Sequence, residues 1–308
     1  MRVKISIIVP CYNEEACVGL FYDAVRPVLS ALGAYEIIFA DDGSRDGTLD
    51  KIKALRKSDE NVRFLSFSRN FGKEAAIYAG LRAAEGDLVG LMDADLQDPP
   101  ELLNDMYKAI TEEGYDVAAC RRTDRKGEPK LRSAFARLFY KIINAMSDAE
   151  VTDGARDFRL MTKKVRDAVL SLSEKDRFSK GIFGWVGFKT KWLDYTNRDR
   201  VAGKTKWSFS GLTKYAVSGI EDFSTAPLKF NLALALAFGL VFVGLVAADI
   251  VLAVVSTVPA LLLVFTFVDL GFCLLAAGLA VISEYIAKMH REIKNRPVYI
   301  IRETERDE

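Results

Sequence analysis

Three short polar clusters, each directly after an apolar run, carry side chains that could do chemistry. Asp93-Ala94-Asp95, with Gln97 close behind, sets two carboxylates at i and i+2. In an extended or turning chain such a pair can face one divalent ion, directly or through water. Hard oxygen ligands of this kind suit Mg2+ or Mn2+ bound together with a diphosphate. The other clusters are Asp41-Asp42-Gly43-Ser44 and Pro10-Cys11-Tyr12-Asn13-Glu14. Together they point to a nucleotide-diphosphate donor. No GxGxxG follows the first apolar run and no GxxxxGKS or GxxxxGKT occurs, which argues against a dinucleotide oxidoreductase or a P-loop NTPase. Cys11, Cys17, Cys120 and Cys273 form no CxxC pair and His290 is the single histidine, so neither a disulfide framework nor a zinc site is expected.

The elements that must hold these clusters are legible as apolar runs. Ile5–Val9, Glu36–Ala40, Val62–Phe67, Leu88–Met92 and Val117–Cys120 read as strands, and the stretches between them carry helical patterns such as Val18, Phe21, Tyr22, Val25 and Val28. Strand and helix alternating in this way predict an α/β domain with a mostly parallel, doubly wound sheet. Ligands of such sheets bind outside the carboxyl ends of the strands, where the three acidic clusters fall. The N-terminal MRVKISIIVP runs straight into polar residues without a cleavage site, so it is read as the first strand of a cytoplasmic domain rather than as a signal peptide.

The 308 residues include 43 Lys plus Arg against 42 Asp plus Glu, and the mean hydropathy is +0.08. That balance speaks against a disordered chain and against nucleic-acid binding by bulk charge. Between Lys229 and Glu284 the charged side chains are Asp249 and Asp269 alone. Residues 231–256 and 258–286 are each long enough to cross a hydrocarbon core of ~30 Å, with a turn at Thr257-Val258-Pro259. Lys229 before this hairpin and Lys288, Arg291, Lys294 and Arg296 after it place both flanks in the cytoplasm. Residues 208–230 have the spacing of an amphipathic helix at the membrane surface. The expected organisation is a catalytic domain over 1–207, that interfacial segment, two membrane helices within 231–286, and a cytoplasmic tail over 287–308.

The motifs IIVPCYNEE, FADDGSRDGT, SRNFGKEAAIYAGLRAA, LMDADLQDPPE, DFRLM and RVAGKTKW, followed after the hairpin by EYIAKMHREIKNRPVYII, resemble the family-2 inverting glycosyltransferases of the GT-A fold. More narrowly they resemble the polyprenyl-phosphate type, which includes bactoprenol glucosyltransferases and dolichyl-phosphate mannose synthases. The resemblance covers essentially the whole chain. It implies that Pro10, Tyr12, Asn13 and Glu14 hold the base and ribose, with Asp41 or Asp42 recognising the uracil or ribose. Carboxylates accept bonds from ribose hydroxyls and ring N–H groups, so the chemistry agrees. By the same resemblance Asp93, Ala94, Asp95 and Gln97 hold donor and metal, and Arg122, Arg125 and Arg132 handle the acceptor phosphate. Arg200 and Lys206 match a late loop over the donor diphosphate, and Asp157 stands where relatives carry a catalytic carboxylate. The implied reaction is metal-dependent transfer of glucose from UDP-glucose to undecaprenyl phosphate, with inversion, by a membrane protein that forms a homo-oligomer. GDP-mannose with a dolichyl-type phosphate, a UDP-linked amino-arabinose, and a non-enzymatic nucleotide-sensing scaffold stay open.

Overall fold

The computed structural model describes residues 4–122, 152, 154–172, 174–196, 226–255 and 260–307. The chain divides into two compact units, residues 1–219 with 297–308, and residues 220–296.

The first unit is built on one eight-stranded sheet. Its strands are β1 (Lys4–Cys11), β2 (Ala34–Asp41), β3 (Val62–Phe67), β4 (Leu88–Leu91), β5 (Val117–Arg122), β6 (Ala155–Thr162), β7 (Thr190–Tyr195) and β8 (Ile301–Thr304), in the spatial order β7-β5-β6-β4-β1-β2-β3-β8. Its helices are α1 (Val18–Leu32), α2 (Thr48–Ser58), α3 (Lys73–Ala83), α4 (Leu102–Thr111), α5 (Lys163–Ser171) and α6 (Ser179–Trp185). The five strands expected from the apolar runs are β1 to β5. The sheet is mixed, however, because β6 runs against β4 and β5, and β8 runs against β3.

The parallel centre reads as continuous apolar sequence because both of its faces are covered. Ile5, Ile7, Ile8 and Val9 of β1 are all fully buried. From one face α1 contributes Phe21, Val25 and Leu29, with the Phe21 ring edge-on to Phe39 of β2 at 6.0 Å. Burying an apolar side chain of that size stabilises the fold by roughly 1.5–3 kcal/mol. Adjacent β4, β1 and β2 are parallel, so Asp93, Tyr12 and Asp42 emerge at one edge of the sheet. Gly43 makes the turn after β2 possible: its φ is +66°, and a Cβ there would sit 2.5 Å from the backbone carbon of Arg69.

Two expectations are revised here. The segment 287–308 is not a separate tail: helix runs on to Ile293, and residues 297–308 belong to the sheet unit, where β8 adds the edge strand. The fifth strand runs past the expected Cys120 to Arg122, and Arg121 within it holds Asp194 of β7 with two bonds of 2.7 and 3.0 Å.

The second unit consists of α7 (Ala226–Val255) and α8 (Ala260–Ile293). The two helices are in contact, with Asn231 Nδ2 donating to the Gly278 carbonyl at 3.2 Å. Leu236, Leu240, Val243, Phe272 and Leu275 are exposed. Among the described residues one stretch, Leu270–Ile293, is long and apolar enough to cross a membrane, at a mean hydropathy of 1.9. The expected turn at 257–259 lies outside the described residues, as does 208–225 of the interfacial segment, while 226–230 already belong to α7.

Candidate active site

A cavity of about 400 Å³ opens at the carboxyl edge of β4, β1 and β2. Pro10, Tyr12 and Glu14 line it from the end of β1, Asp42 from β2, Asn70, Gly72 and Lys73 from the β3–α3 connection, and Asp93, Ala94 and Asp95 from β4.

On the β1–β2 side Asp42 is held by backbone N–H groups and Asp41 by one backbone N–H and one buried hydroxyl. Asp42 accepts N–H groups of Phe71 and Gly72 at 2.6 and 2.9 Å. Burial nevertheless pushes its carboxyl up to about 6, and neighbouring Asp41 adds to the rise. Asp41 is fully buried beneath the cavity, accepting from Ser66 Oγ at 2.7 Å and the Ser44 N–H at 3.1 Å. Of the two, Asp42 is therefore the one that can meet a ligand. Asn13 ties the strand ends together: its N–H donates to Ser44 Oγ at 2.8 Å and its Oδ1 accepts from the Arg45 N–H at 2.8 Å. Its φ of +51° falls in the left-handed region that Asn tolerates.

On the β4–β6 side Asp93, Asp157 and Asp98 are held by side chains, and Asp95 by a backbone N–H. β6 pairs antiparallel with β4, Leu91 opposite Arg159, and continuing that register past Leu91 sets Asp157 opposite Asp93. Lys73, the first residue of α3, spans the two, with Nζ 2.7 Å from Asp93 Oδ1 and 2.5 Å from Asp157 Oδ2. Burial alone would depress the Lys73 ammonium, and Asp157 and Asp93 more than reverse it. For Asp157, burial works upward, but Lys73 and Lys180 prevail and hold it far below the usual carboxylate range. Asp95 Oδ1 accepts the Gln97 N–H at 3.1 Å. Gln97 Oε1 accepts from Arg156 at 3.3 Å, and Arg156 also reaches Asp98, which takes the Tyr195 hydroxyl as well. Behind α3, Glu74 accepts the N–H and hydroxyl of Ser179, which brings Lys180 beside Asp157.

Arg122 ends β5, its N–H bonded to the Gly154 carbonyl at 3.0 Å. Arg125, Arg132, Arg200 and Lys206 lie outside the described residues. Lys73, Lys180, Arg156 and Asn70 were not singled out from sequence. The available signal for Lys73 was its place after Phe71-Gly72, at the start of the helix that follows a strand.

The sequence profile described as "Glycosyl transferase family 2" matches residues 6–170. The chain belongs to glycosyl transferase family 2. It is an enzyme of the glycosyltransferase class, on a GT-A fold. This family 2 chain is 40% identical over 304 residues to the putative glycosyltransferase CsbB of Bacillus subtilis, covering 97% of this chain and 91% of CsbB. It is 39% identical over 315 residues to the SfII prophage-derived bactoprenol glucosyl transferase of Shigella flexneri, covering 99% of each. Among solved structures, mannosyl-3-phosphoglycerate synthase from Rubrobacter xylanophilus superposes with a TM-score of 0.50 at 15% identity, over 71% of this chain and 72% of that one, a likeness of fold.

Proposed function

We propose that this glycosyltransferase moves a glucosyl group from UDP-glucose to a polyprenyl phosphate with inversion at the anomeric carbon. The observation that carries the reading is the convergence of Asp42, Asp93 and Asp95 on one cavity, with Lys73 and Asp157 at its side. Likeness to bactoprenol glucosyl transferases over the full length selects lipid phosphate as acceptor and glucose as the sugar. The lengths of α7 and α8, their exposed apolar side chains and the basic residues flanking them support two membrane spans with the sheet unit and C-terminus on the cytoplasmic side.

The donor set fits a divalent cation. Among the described residues no three His, Cys, Asp or Glu lie close enough together to hold one ion, so an ion at Asp93 and Asp95 would complete its shell with diphosphate oxygens and water. Mg2+ is commonly held in this way, by one or two carboxylates plus phosphates. When bound, such an ion supplies positive charge against the diphosphate that departs. Asp42 accepts from the ring N–H of the base. Asp157 stays ionised beside Lys73 and is too weakly basic to take a proton near neutral pH. None is required of it, because the acceptor phosphate is already anionic. Asp157 instead fixes the Lys73 ammonium toward the diphosphate, and Arg122, with Arg125 and Arg132, receives the acceptor. Arg200 and Lys206 cover the leaving nucleotide, and Gln97 keeps Arg156 in place behind the metal-binding pair.

The test is transfer of label from a panel of UDP- and GDP-sugars to undecaprenyl phosphate by detergent-purified enzyme, with Mg2+, Mn2+ or EDTA. Labelling from UDP-glucose alone, lost with EDTA and reduced at least a thousandfold in Asp95→Asn, is the expected result; a loss of that size is ~4 kcal/mol of transition-state stabilisation. Labelling from another sugar overturns the donor, and labelling that survives EDTA overturns the metal.

A further inference from the structure

The chain beyond the last helix returns to the sheet that forms the cavity. Helix α8 closes at Ile293, Asn295 turns at a φ of +48°, and Tyr299 then stacks on Phe67 of β3 with ring centres 5.0 Å apart and planes 13° apart. The Ser68 N–H donates to the Ile300 carbonyl at 3.0 Å, and β8 pairs with β3, Ser66 opposite Glu303.

Two lines of contact run from this segment to the cavity. In the first, Arg302 Nη2 donates to Ser66 Oγ at 3.1 Å. A guanidinium only donates and a hydroxyl has one proton, so Ser66 accepts from Arg302 and spends its proton on Asp41 Oδ2 at 2.7 Å. Ser66 and Asp41 are both fully buried, so this bond has no water to replace it. The other oxygen of Asp41 takes the Ser44 N–H, and Ser44 Oγ takes the Asn13 N–H. That sequence of bonds fixes the two loops from which Tyr12, Glu14 and Asp42 face the cavity. In the second line, Tyr299 packs on Phe67, Phe67 meets Phe71 edge-on at 5.9 Å, and the Phe71 N–H holds Asp42.

We propose that the C-terminal segment is a positioning element for the nucleotide half of the site, with Arg302 acting through Ser66 and Asp41, and Tyr299 through Phe67 and Phe71. The inference rests on the nucleotide-sugar reading above and adds residues far from it in sequence. Neither Arg302 nor Tyr299 touches the cavity, so neither is a catalytic residue.

The test uses the full chain in detergent and two readouts. Hydrogen exchange of the ligand-free protein reports the loops directly, whatever the donor is. In Arg302→Ala, amides of residues 42–48 exchange faster. Calorimetric titration with UDP and Mn2+ gives a dissociation constant raised roughly tenfold, the size of one lost hydrogen bond to a charged group. The KM for UDP-glucose rises with it, the KM for the lipid acceptor and kcat stay within about twofold, and Arg302→Lys recovers most of the loss. Lys53→Ala, which removes a 2.6 Å pair with Glu303 and leaves that carboxylate to Arg302 at 3.3 Å, keeps the bond from Arg302 to Ser66 and leaves UDP binding unchanged. If exchange rises only in β3 and β8, or if Lys53→Ala weakens UDP as much as Arg302→Ala does, the segment merely closes the sheet edge and the proposal is overturned. Should Arg302→Ala fold poorly, Ser66→Ala cuts the same relay, and unchanged exchange at 42–48 in that variant overturns it equally. A wild-type protein that binds no UDP, while exchange at 42–48 still responds to Arg302→Ala, sinks the donor assignment and upholds the positioning role.

Discussion

The two sides of the cavity satisfy their carboxylates in different ways. On the β1–β2 side, Asp42 takes the backbone N–H groups of Phe71 and Gly72, and Asp41 takes that of Ser44 together with the hydroxyl of the buried Ser66. On the β4–β6 side, Asp93, Asp157 and Asp98 take Lys73, Arg156 and the Tyr195 hydroxyl, and Asp95 takes a backbone N–H. Backbone donors move only if the turn carrying them moves, so the first side is preformed. A lysine can rotate about its stem and exchange partners, so the second side can rearrange when a diphosphate and a cation arrive. In the function proposed above, recognition of the nucleoside falls to the rigid side and handling of charge to the adaptable one.

The strongest way to break this division is Lys73→Met. The substitution leaves Asp93 and Asp157, both partly exposed, facing each other without their shared cation. Turnover falls by roughly a hundredfold to a thousandfold, as for loss of a preorganised charge at a reacting centre. Lys73→Arg restores part of it. Binding of uridine, which has no phosphate, changes by less than about twofold, because its contacts lie on the other side. Calorimetry with uridine and with UDP separates the two effects, and equal loss of both would merge the sides into one site.

A smaller effect sharpens the comparison through pH. The Asp42 carboxyl, pushed up to about 6 by burial, gains its proton as pH falls through that value, whereas Asp157, held below the usual range, stays ionised. The ionised Asp42 accepts from a ring N–H much more strongly than the neutral acid does, so uridine affinity falls with acid. It is weaker roughly tenfold at pH 5 than at pH 7, and levels off above. Asp42→Asn binds uridine weakly and with no pH dependence over that range. A wild-type profile that is flat from pH 5 to 7 would remove Asp42 from the base contact.

The same division explains which parts of the site were legible in the sequence. The ends of β1, β2 and β4 follow apolar runs, so Asp42, Asp93 and Asp95 could be read from local pattern and the rule for parallel sheets. Asp41 and Asp42 could not be separated, because neighbouring residues leaving a strand point to opposite sides, and only the buried Ser66 decides which one faces inward. The Lys73 bridge was illegible for another reason. Its partners lie 20 and 84 residues away, and they meet only because β6 returns antiparallel beside β4. The motif Asp157-Phe158-Arg159-Leu160-Met161 was visible as a motif, yet nothing local marked it as a strand or set its register. Likewise, the sequence after α8 is short, its apolar run is only Val298-Tyr299-Ile300-Ile301, and it reads as a tail until β3 supplies an open edge for it.

The smallest test compares one hydroxyl on each side. Tyr195→Phe removes a donor to Asp98 but leaves Arg156 on the same carboxylate, and Ser44→Ala removes the acceptor of the Asn13 N–H at the junction of two loops. Each loses one hydrogen bond, about 1 kcal/mol, so thermal stability should fall by similar small amounts in the two variants. Their functional signatures should differ. Ser44→Ala loosens the nucleoside side and raises the uridine dissociation constant about threefold at unchanged kcat, in keeping with half to one kcal/mol of lost positioning. Tyr195→Phe loosens Asp98 and through it Arg156 and Gln97, and lowers kcat two- to threefold at unchanged uridine affinity, a shift of similar size. Because the energetic losses match, a difference in which constant moves can come only from where each hydroxyl sits. If both variants shift both constants, the carboxylates on the two sides form one coupled network, and the contrast between backbone-held and side-chain-held groups has no functional meaning.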